Sequence, residues 1–542
     1  MGDIHGAFGT IRLGDTAART TASARLKTLL AIVGPGLIVM VGDNDAGAFS
    51  TYGQAGQDYG THLLWTLVLL IPVLYVNQEM VLRLGAVTGV GHARLILNRF
   101  GKFWGAFSVV DLFLLNALTI MTEFIGITLA AGYLGVPKVL AVAAAALIIV
   151  ASAFTGSFRR FERIALTFCV GSLLLIPLYF MTHPSAASMG AGFTIPALPG
   201  GSGQMATVML LVIGIVGTTV APWQLFFQQS YVIDKRITPR FMRYEKADLW
   251  LGIAVVVVGA AALMGATAAA FAATRGAGNF TDTAGLARGI AAHAGHVAGL
   301  LFAIALLDAS VIGAFAVSLS SAYAISDVLG LRHSLHRGIG QAKGFYAVYA
   351  ALIGGAAAIV ALPGSPLGLI TEGVQVLAGV LLPSASMFLL LLCNDREVLG
   401  PWVNGRGVNL FTSAVIAVLI TLSVVLTASV LFPAITSGQI VTIMAVCAGV
   451  AVAVGAGWLI RGLVHNGTAS SPAPPPSVAS ATEVLGGDGG AVGKMSWRMP
   501  PLAELSTPVI GGLRKWGLAS MRGYLAVAMI LVIVKIVMLA AG

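Results

Sequence analysis

The sequence predicts an all-α polytopic membrane protein built as an inverted repeat, with helices 1–5 and 6–10 forming the two halves. Three observations carry that prediction: apolar runs of membrane length, basic residues confined to alternate loops, and polar interruptions in two spans at corresponding positions. Of 542 residues, 57% are hydrophobic and only 10% are charged, with a mean hydropathy of +0.92. A soluble domain carries about 25% charged residues, so this chain lacks the polar surface that water would require.

Apolar runs near the ~20 residues that a helix needs to cross a bilayer fall at 28–56, 62–83, 104–132, 137–155, 163–182, 205–232, 247–273, 295–328, 344–362, 368–393, 409–432, 437–463 and 520–541. They divide the chain into an N-terminal tail (1–27), a first five-helix repeat (28–182), a second (205–393), helices 11 and 12 (409–463), a flexible linker (464–505) and an additional C-terminal helix (520–541). The tail is polar and basic with no apolar core before Leu29, so no cleavable signal peptide is expected. The linker contains "NGTASSPAPPPSVASATEVLGGDGGAVG" (466–493), too rich in Pro, Gly, Ser and Ala to bury a core. Cys169, Cys393 and Cys447 lie in apolar runs without metal or redox spacing and read as small buried hydrophobes.

Charge orients the spans. Loops after even-numbered spans carry Arg94, Arg99 and Lys102; Arg159, Arg160 and Arg163; Lys235, Arg236, Arg240, Arg243 and Lys246; Arg332, Arg337 and Lys343; Arg396 and Arg406. Loops after odd-numbered spans carry only Lys138, Arg275 and Arg288. This asymmetry places the N-terminus, the even-span loops and the linker in the cytoplasm. The net charge of +10 is therefore a mark of topology, and no nucleic-acid partner is expected.

Two spans are interrupted. The first carries Asp43, Asn44, Asp45 and Gly47 in mid-run, and the sixth carries Gly217, Thr218, Thr219 and Pro222. A proline kink could by itself explain the sixth. Two mid-span aspartates, at about 2.5–3.5 kcal/mol each on insertion scales, are too costly for a lipid-facing accident. Irregular backbone at membrane depth is tolerated where it lines a protein-buried or water-filled cavity. Breaks at corresponding places of two halves mark the binding site of an inverted-repeat transporter. Residues two apart on a continuous helix point about 200° from one another, so the helix is expected to open near Asn44–Gly47. Asp45 can then face a cation while Asp43 lines its entry or supports its ligands, and the spacing leaves open whether both are ligands.

The chain resembles the Nramp family of divalent-metal transporters across nearly all of residues 30–410. The likeness runs through "GPGLIVMVG", "YGTHLLW", "QEMVLRLGAVTG", "EFIG", "FRRFE", "GIVGTTVAP", "LLPSASMFLLLLCNDREVLG" and "VN". The resemblance implies a leucine-transporter-type fold with helices 1 and 6 unwound around a metal ion. Typical members read Asp-Pro-Gly-Asn at the first break, where this chain has Asp45-Ala46-Gly47-Ala48. The family's Ala-x-x-Met-Pro-His at the second break, with alanine-carbonyl and methionine-sulfur ligands, becomes Thr218-Thr219-Val220-Ala221-Pro222-Trp223. A second family histidine is Gln228, and the helix-3 aspartate is Ile120, while the glutamate after it survives as Glu123. The helix-10 glutamine matches Gln375.

Thioether ligands favour softer, later ions, whereas an all-oxygen site suits Mg, Ca or Mn. The expected ligand set is Asp45, Asp43, Asn44, Thr218, Gln224 and Gln375, with Ala221 at the vacated sulfur position. Loss of the Asn and Met side chains also removes volume, and a partly hydrated Mg²⁺, which dehydrates reluctantly, fits a wider cavity. These departures resemble the Nramp-related magnesium transporters. Mn²⁺ passes the same ligands. The histidines (5, 62, 92, 183, 293, 296, 333, 336 and 465) lie at termini, loops or span edges, so each reads as solvated and proton coupling is expected to be absent. The alternative is an ordinary proton-coupled Mn²⁺/Fe²⁺ importer.

Other intramembrane charges receive structural readings. Glu79 and Arg83 are four apart and should pair, Glu123 should hydrogen-bond between helices or line a cavity, and Asp308 should bond between helices; Glu372, one turn before Gln375, has a vestibule-lining role only as its second reading. Asp248 and Asp327, at span ends, read as solvated. No catalytic spacing supports an enzyme. The expected setting is a multi-pass protein of the plasma membrane, a monomeric transport unit with no cofactor beyond its transported ion.

Overall fold

The computed structural model describes residues 2–199, 205–362, 367–432, 435–465, 494–495, 497–506 and 523. A hairpin of β1 (Ile4–Gly6) and β2 (Gly9–Ile11) precedes the first span, which is built from α1 (Ala22–Ile32), α2 (Pro35–Val41) and α3 (Ala46–Tyr59). The rest of the first half is α4 (Trp65–Thr88), the loop helix α5 (His92–Phe100), α6 (Lys102–Tyr133), α7 (Lys138–Ala153) and the fifth span, α8 (Phe158–Gly171) with α9 (Leu175–Thr182). After α10 (Ala186–Thr194) come the sixth span, α11 (Met205–Thr219) and α12 (Pro222–Asp234), then α13 (Met242–Phe271), the loop helix α14 (Thr283–Ala294), α15 (His296–Leu329), α16 (Lys343–Ala361) and α17 (Leu367–Cys393). The short α18 (Arg396–Leu399) leads to α19 (Arg406–Leu431) and α20 (Ser437–His465). The expected thirteenth span, 520–541, and the stretch 466–493 lie outside the described residues.

Among the described residues, 10 helical segments are long and apolar enough to cross a bilayer. The pair α1–α2, bent by 53°, makes an eleventh, and α7 is a shorter apolar helix. The packing shows the repeat directly. The first span packs on α13, the seventh, and the sixth span packs on α4, the second. Exchanging the halves turns one pair into the other, and it leaves the heavily packed α6–α15 pair in place. Burial follows the same plan. The apolar window of the sixth span is 94% buried, that of α20 only 6%. The broken spans stand at the centre, and the last described helix faces outward.

The N-terminal tail is not a free chain. Ile4 pairs with Ile11 across the hairpin. The turn docks on α8, where the Ala7 N–H donates to Glu162 Oε2 at 2.6 Å and Arg163 donates to the Ala7 carbonyl at 2.8 Å. Thr21 then caps α1 by accepting from the Ala24 N–H, so the first helix starts before the apolar run does. At the other end, residues 497–506 are anchored rather than loose: the Arg99 guanidinium donates to the Ser506 carbonyl at 2.7 Å, and the Ser506 N–H donates to Glu397 at 3.0 Å. Hairpin, α5, α18 and this strap share the side marked by the basic loops.

Three solvation readings are corrected. Asp248 is fully buried, because its Oδ2 accepts the N–H groups of Gly36 at 2.7 Å and Gly34 at 3.2 Å at the start of α2. Asp327 is 6% exposed and pairs with His333 at 3.2 Å. His92 is buried against α12, where it bonds the Gln229 side chain at 2.9 Å. Position at a span end says nothing about which distant segment packs over it. Glu79 does pair with Arg83, at 3.2 Å, and also with Lys246 at 2.9 Å. Asp308 lies against Gly171 on α8.

Candidate ion site at the helix breaks

The first span opens over Gly42–Asp45, two residues earlier than expected. The reason is Asp45 itself. Its Oδ1 accepts the Ala48 N–H at 2.9 Å and it bonds the Gly47 N–H, so it caps α3 and pulls Gly47 into the first helical turn. The Ala46 N–H, also at that helix start, donates to Glu123 Oε2 at 3.1 Å. The Asp45 and Glu123 side chains lie side by side at Gly313 on α15, which gives them room, since a Cβ there would meet both.

The sixth span breaks at Val220–Ala221, not at Gly217. The chain stays helical through Thr219, and α12 begins at Pro222 with Ala221 as its cap residue. Pro222 has no N–H for the Thr218 carbonyl four residues back. Gly217 serves packing instead, because the backbone of α17 at Gln375 and Gly379 leaves no space for a side chain.

The breaks face each other through polar contacts. Gln224 Nε2 donates to Asp43 Oδ1 and, at 3.4 Å, to the Thr219 carbonyl. Thr219 donates to the Ile215 carbonyl, and the Tyr52 hydroxyl on α3 bonds Thr219 Oγ1 at 2.6 Å. Gln375 Nε2 lies directly over Gly47, beside Asp45 Oδ1. Asn44 is turned away, its Nδ2 donating to the Val256 carbonyl on α13 at 3.2 Å. Trp223 lies beside Gly42, its carbonyl accepting from Ser320 at 2.9 Å.

Asp43, Asn44, Asp45, Thr218, Gln224 and Gln375 are each at most 4% exposed. Yet Asp43 Oδ2, Asn44 Oδ1 and Thr218 Oγ1 have no hydrogen-bond partner. Buried polar atoms are normally paired, and each exception asks for an explanation. A cavity of about 10 Å³ lined by Ala46, Ser50, Thr122, Gly126, Asp282 and Thr283 lies on the α3–α6 side, room for at most a single water. The side chains at the two breaks are shielded from solvent.

Among the described residues, no group of three His, Cys, Asp or Glu side chains is arranged to hold a metal ion. Any cation here must take amide, hydroxyl, carbonyl or water oxygens alongside the carboxylates. The C-terminal ends of α2 and α11, which carry partial negative charge, flank that space. The sequence-predicted residues Asp43, Asp45, Thr218, Gln224 and Gln375 fall at the facing breaks, Ala221 sits in the second break, and Asn44 is turned toward α13 with its Oδ1 unpartnered. Glu123 was expected only to bond or line a cavity, and Tyr52 and Gln78 were missed as members of the site. Their one signal was polarity inside apolar runs.

Two inverted five-helix halves whose first and sixth spans break around buried oxygens are the architecture of a membrane transporter, and the relatives of this chain are transporters. The family model described as natural resistance-associated macrophage protein-like (Nramp) matches residues 36–429. This chain belongs to the Nramp family. It is 31% identical over 409 residues to the divalent metal cation transporter MntH of Ralstonia nicotianae, covering 72% of this chain and 88% of that one. It is 25% identical over 418 residues to MntH of Klebsiella pneumoniae, covering 74% and 95%. The fold is similar to a crystal structure of a mutant Eremococcus coleocola manganese transporter, with TM-score 0.63 and 21% identity over 83% of this chain and 98% of that one.

Proposed function

We propose that this chain takes up Mg²⁺ by alternating access, with Mn²⁺ admitted by the same ligands, and that the transport is not coupled to protons. Family membership and the 31% identity to a curated divalent metal cation transporter support the coarser statement, that the cargo is a divalent metal cation. The observation that carries the finer one is the set of unpartnered groups at the breaks: Asp43 Oδ2, Asn44 Oδ1 and Thr218 Oγ1 are all oxygens. Hard oxygen ligands favour Mg²⁺ or Mn²⁺ over softer ions. The ligands in this reading are Asp45, Asp43, Thr218 and Gln375, with Gln224, whose two ends bond Asp43 and Gln78, holding Asp43 instead of the ion, Asn44 contributing Oδ1 and Ala221 leaving space for a water. A membrane potential of 100 mV supplies about 4.6 kcal/mol for two charges, enough to drive uptake. The basic loops support a cytoplasmic N-terminus, and the plasma membrane and a monomeric transport unit complete the proposal.

One observation favours a second reading, a proton-coupled importer. Glu123 touches Asp45, and two carboxyls side by side repel when both are charged, so a proton or a cation between them lowers their energy. Purified protein in liposomes, with Mg²⁺, Mn²⁺ and internal pH followed together, separates the two. Uncoupled transport gives influx that follows the potential with no acidification. Acidification that scales with metal influx and vanishes in Glu123→Gln promotes the second reading.

A further inference from the structure

The geometry points to Gln78, on α4, as a positioning residue for the ion site, acting on Asp43 through Gln224 without touching the ion. This rests on the proposed site. Three buried side chains form a line. Gln78 Nε2 donates to Gln224 Oε1 at 2.7 Å, and Gln224 Nε2 donates to Asp43 Oδ1. Gln78 and Gln224 are 0% exposed and Asp43 is 1% exposed.

The line has a direction, and Asp43 sets it. An ionised carboxylate only accepts, so Gln224 must turn its NH₂ toward Asp43. Its carbonyl oxygen is then forced toward α4, where it needs a donor. Gln78 supplies that donor with its own NH₂, which leaves Gln78 Oε1 at the end of the line without a partner. Reversing either amide would set two oxygens against each other. The consequence falls on the far side of Asp43. With Oδ1 held by Gln224, the unpartnered oxygen is Oδ2, and a carboxylate fixed by one oxygen presents the other in a single direction. Gln78 thus determines which oxygen meets the ion and how steadily it is held. Partners that orient a ligand in this way typically change metal affinity by about 10–100-fold when removed.

A merely structural role for Gln78, filling space between α4 and α12, predicts a different pattern, and a double-mutant cycle separates the two. Gln78→Met keeps the length and loses the donor. In proteoliposomes taking up Mg²⁺ or Mn²⁺, it should raise KM about tenfold and leave the maximal rate within about twofold. In an Asp43→Asn background, an amide replaces the group that dictates the direction, Gln224 can turn either way, and Gln78→Met should shift KM by less than about twofold. If Gln78→Met does not fold, Gln78→Asn, too short to hold Gln224, takes its place with the same expectation. An undiminished tenfold effect in the Asp43→Asn background overturns the positioning role while leaving the site intact. A wild-type KM in Asp43→Asn alone removes Asp43 from the site, and the proposal with it.

Discussion

The first span breaks twice, and the two breaks are finished in opposite ways. At the α1–α2 bend, Lys235 Nζ donates to the Ile32 and Val33 carbonyls at 2.6 and 2.9 Å, while the Asp248 carboxylate accepts the first amides of α2. Glu162 pairs with the same lysine at 2.6 Å, both fully buried. A cation sits on a helix C-terminus and an anion on a helix N-terminus, each where the helix dipole favours it. At Gly42–Asp45 the anions are present but the cation is not: the ion pairs among the described residues do not include Asp43 or Asp45. The C-terminal ends of α2 and α11 face that space with carboxylates and spare oxygens. The protein supplies its own cation to the bend; in the proposed reading the mid-membrane break takes a mobile one.

The largest effect should come from Asp45→Ala. Losing a buried charge partner corresponds to about 3–5 kcal/mol, or more than about 100-fold in ion affinity at 1.4 kcal/mol per decade. Uptake of Mg²⁺ and Mn²⁺ should vanish while the protein still inserts, the lost cap of α3 costing only about 1 kcal/mol. Asp43→Ala should weaken uptake less. Undiminished uptake in Asp45→Ala breaks the comparison outright.

Lys235→Met tests the other break. It strands Glu162 as an uncompensated buried carboxylate, so stability should fall by about 3–5 kcal/mol, read as a lowered melting temperature in detergent. Lys235→Met with Glu162→Gln should recover part of it. The ion KM of the folded fraction should stay near wild type, because the clamp does not touch the cargo. A shift in KM equal to that of an ion-site variant means the two breaks are one unit.

How much of this was legible follows the physics of each break. Asp43, Asp45 and Pro222 announce themselves because lipid makes charges and missing donors expensive locally, whatever the rest of the chain does. Asp248 was misread because its partners, Gly34 and Gly36, lie 214 and 212 residues away, and only the packing of α13 on α2 brings them together. The Gln78–Gln224–Asp43 line was invisible for the same reason. Gly217 read as a breaker, but its role is close approach to α17, which a single sequence cannot distinguish.

Selectivity sharpens the comparison from the ion's side. Ala221→Met with Ala48→Asn places a thioether and an amide where methyl groups now stand, both sites being at most 5% exposed. The pocket becomes softer and narrower, so Cd²⁺ should gain affinity by roughly tenfold, the effect of about 1.4 kcal/mol, and Mg²⁺ should lose it. Competition binding measures both. No Cd²⁺ gain in a folded double variant means that the second break does not reach the ion.

The smallest expected effect lies at the hairpin, and it asks whether the clamp can be loosened without disturbing the cargo. Ala7 gives its N–H to Glu162, whose other oxygen holds Lys235. Ala7→Pro deletes that donor alone, since proline has no N–H, and leaves the Glu162–Lys235 pair standing. The cost should be about 1–3 kcal/mol, the penalty of one unsatisfied buried acceptor. If the α1–α2 bend must open for the ion to leave, the bond is lost in that state anyway, and its removal destabilises the arrangement seen here alone. A change of 1 kcal/mol is roughly fivefold in such an equilibrium, so where inward opening limits turnover the maximal uptake rate should rise by up to that factor. The KM should not move, because nothing at Asp43 or Asp45 has changed. A raised KM, or a fall in rate with the melting temperature unchanged, would show that the hairpin reaches the ion site by some route other than this hydrogen bond.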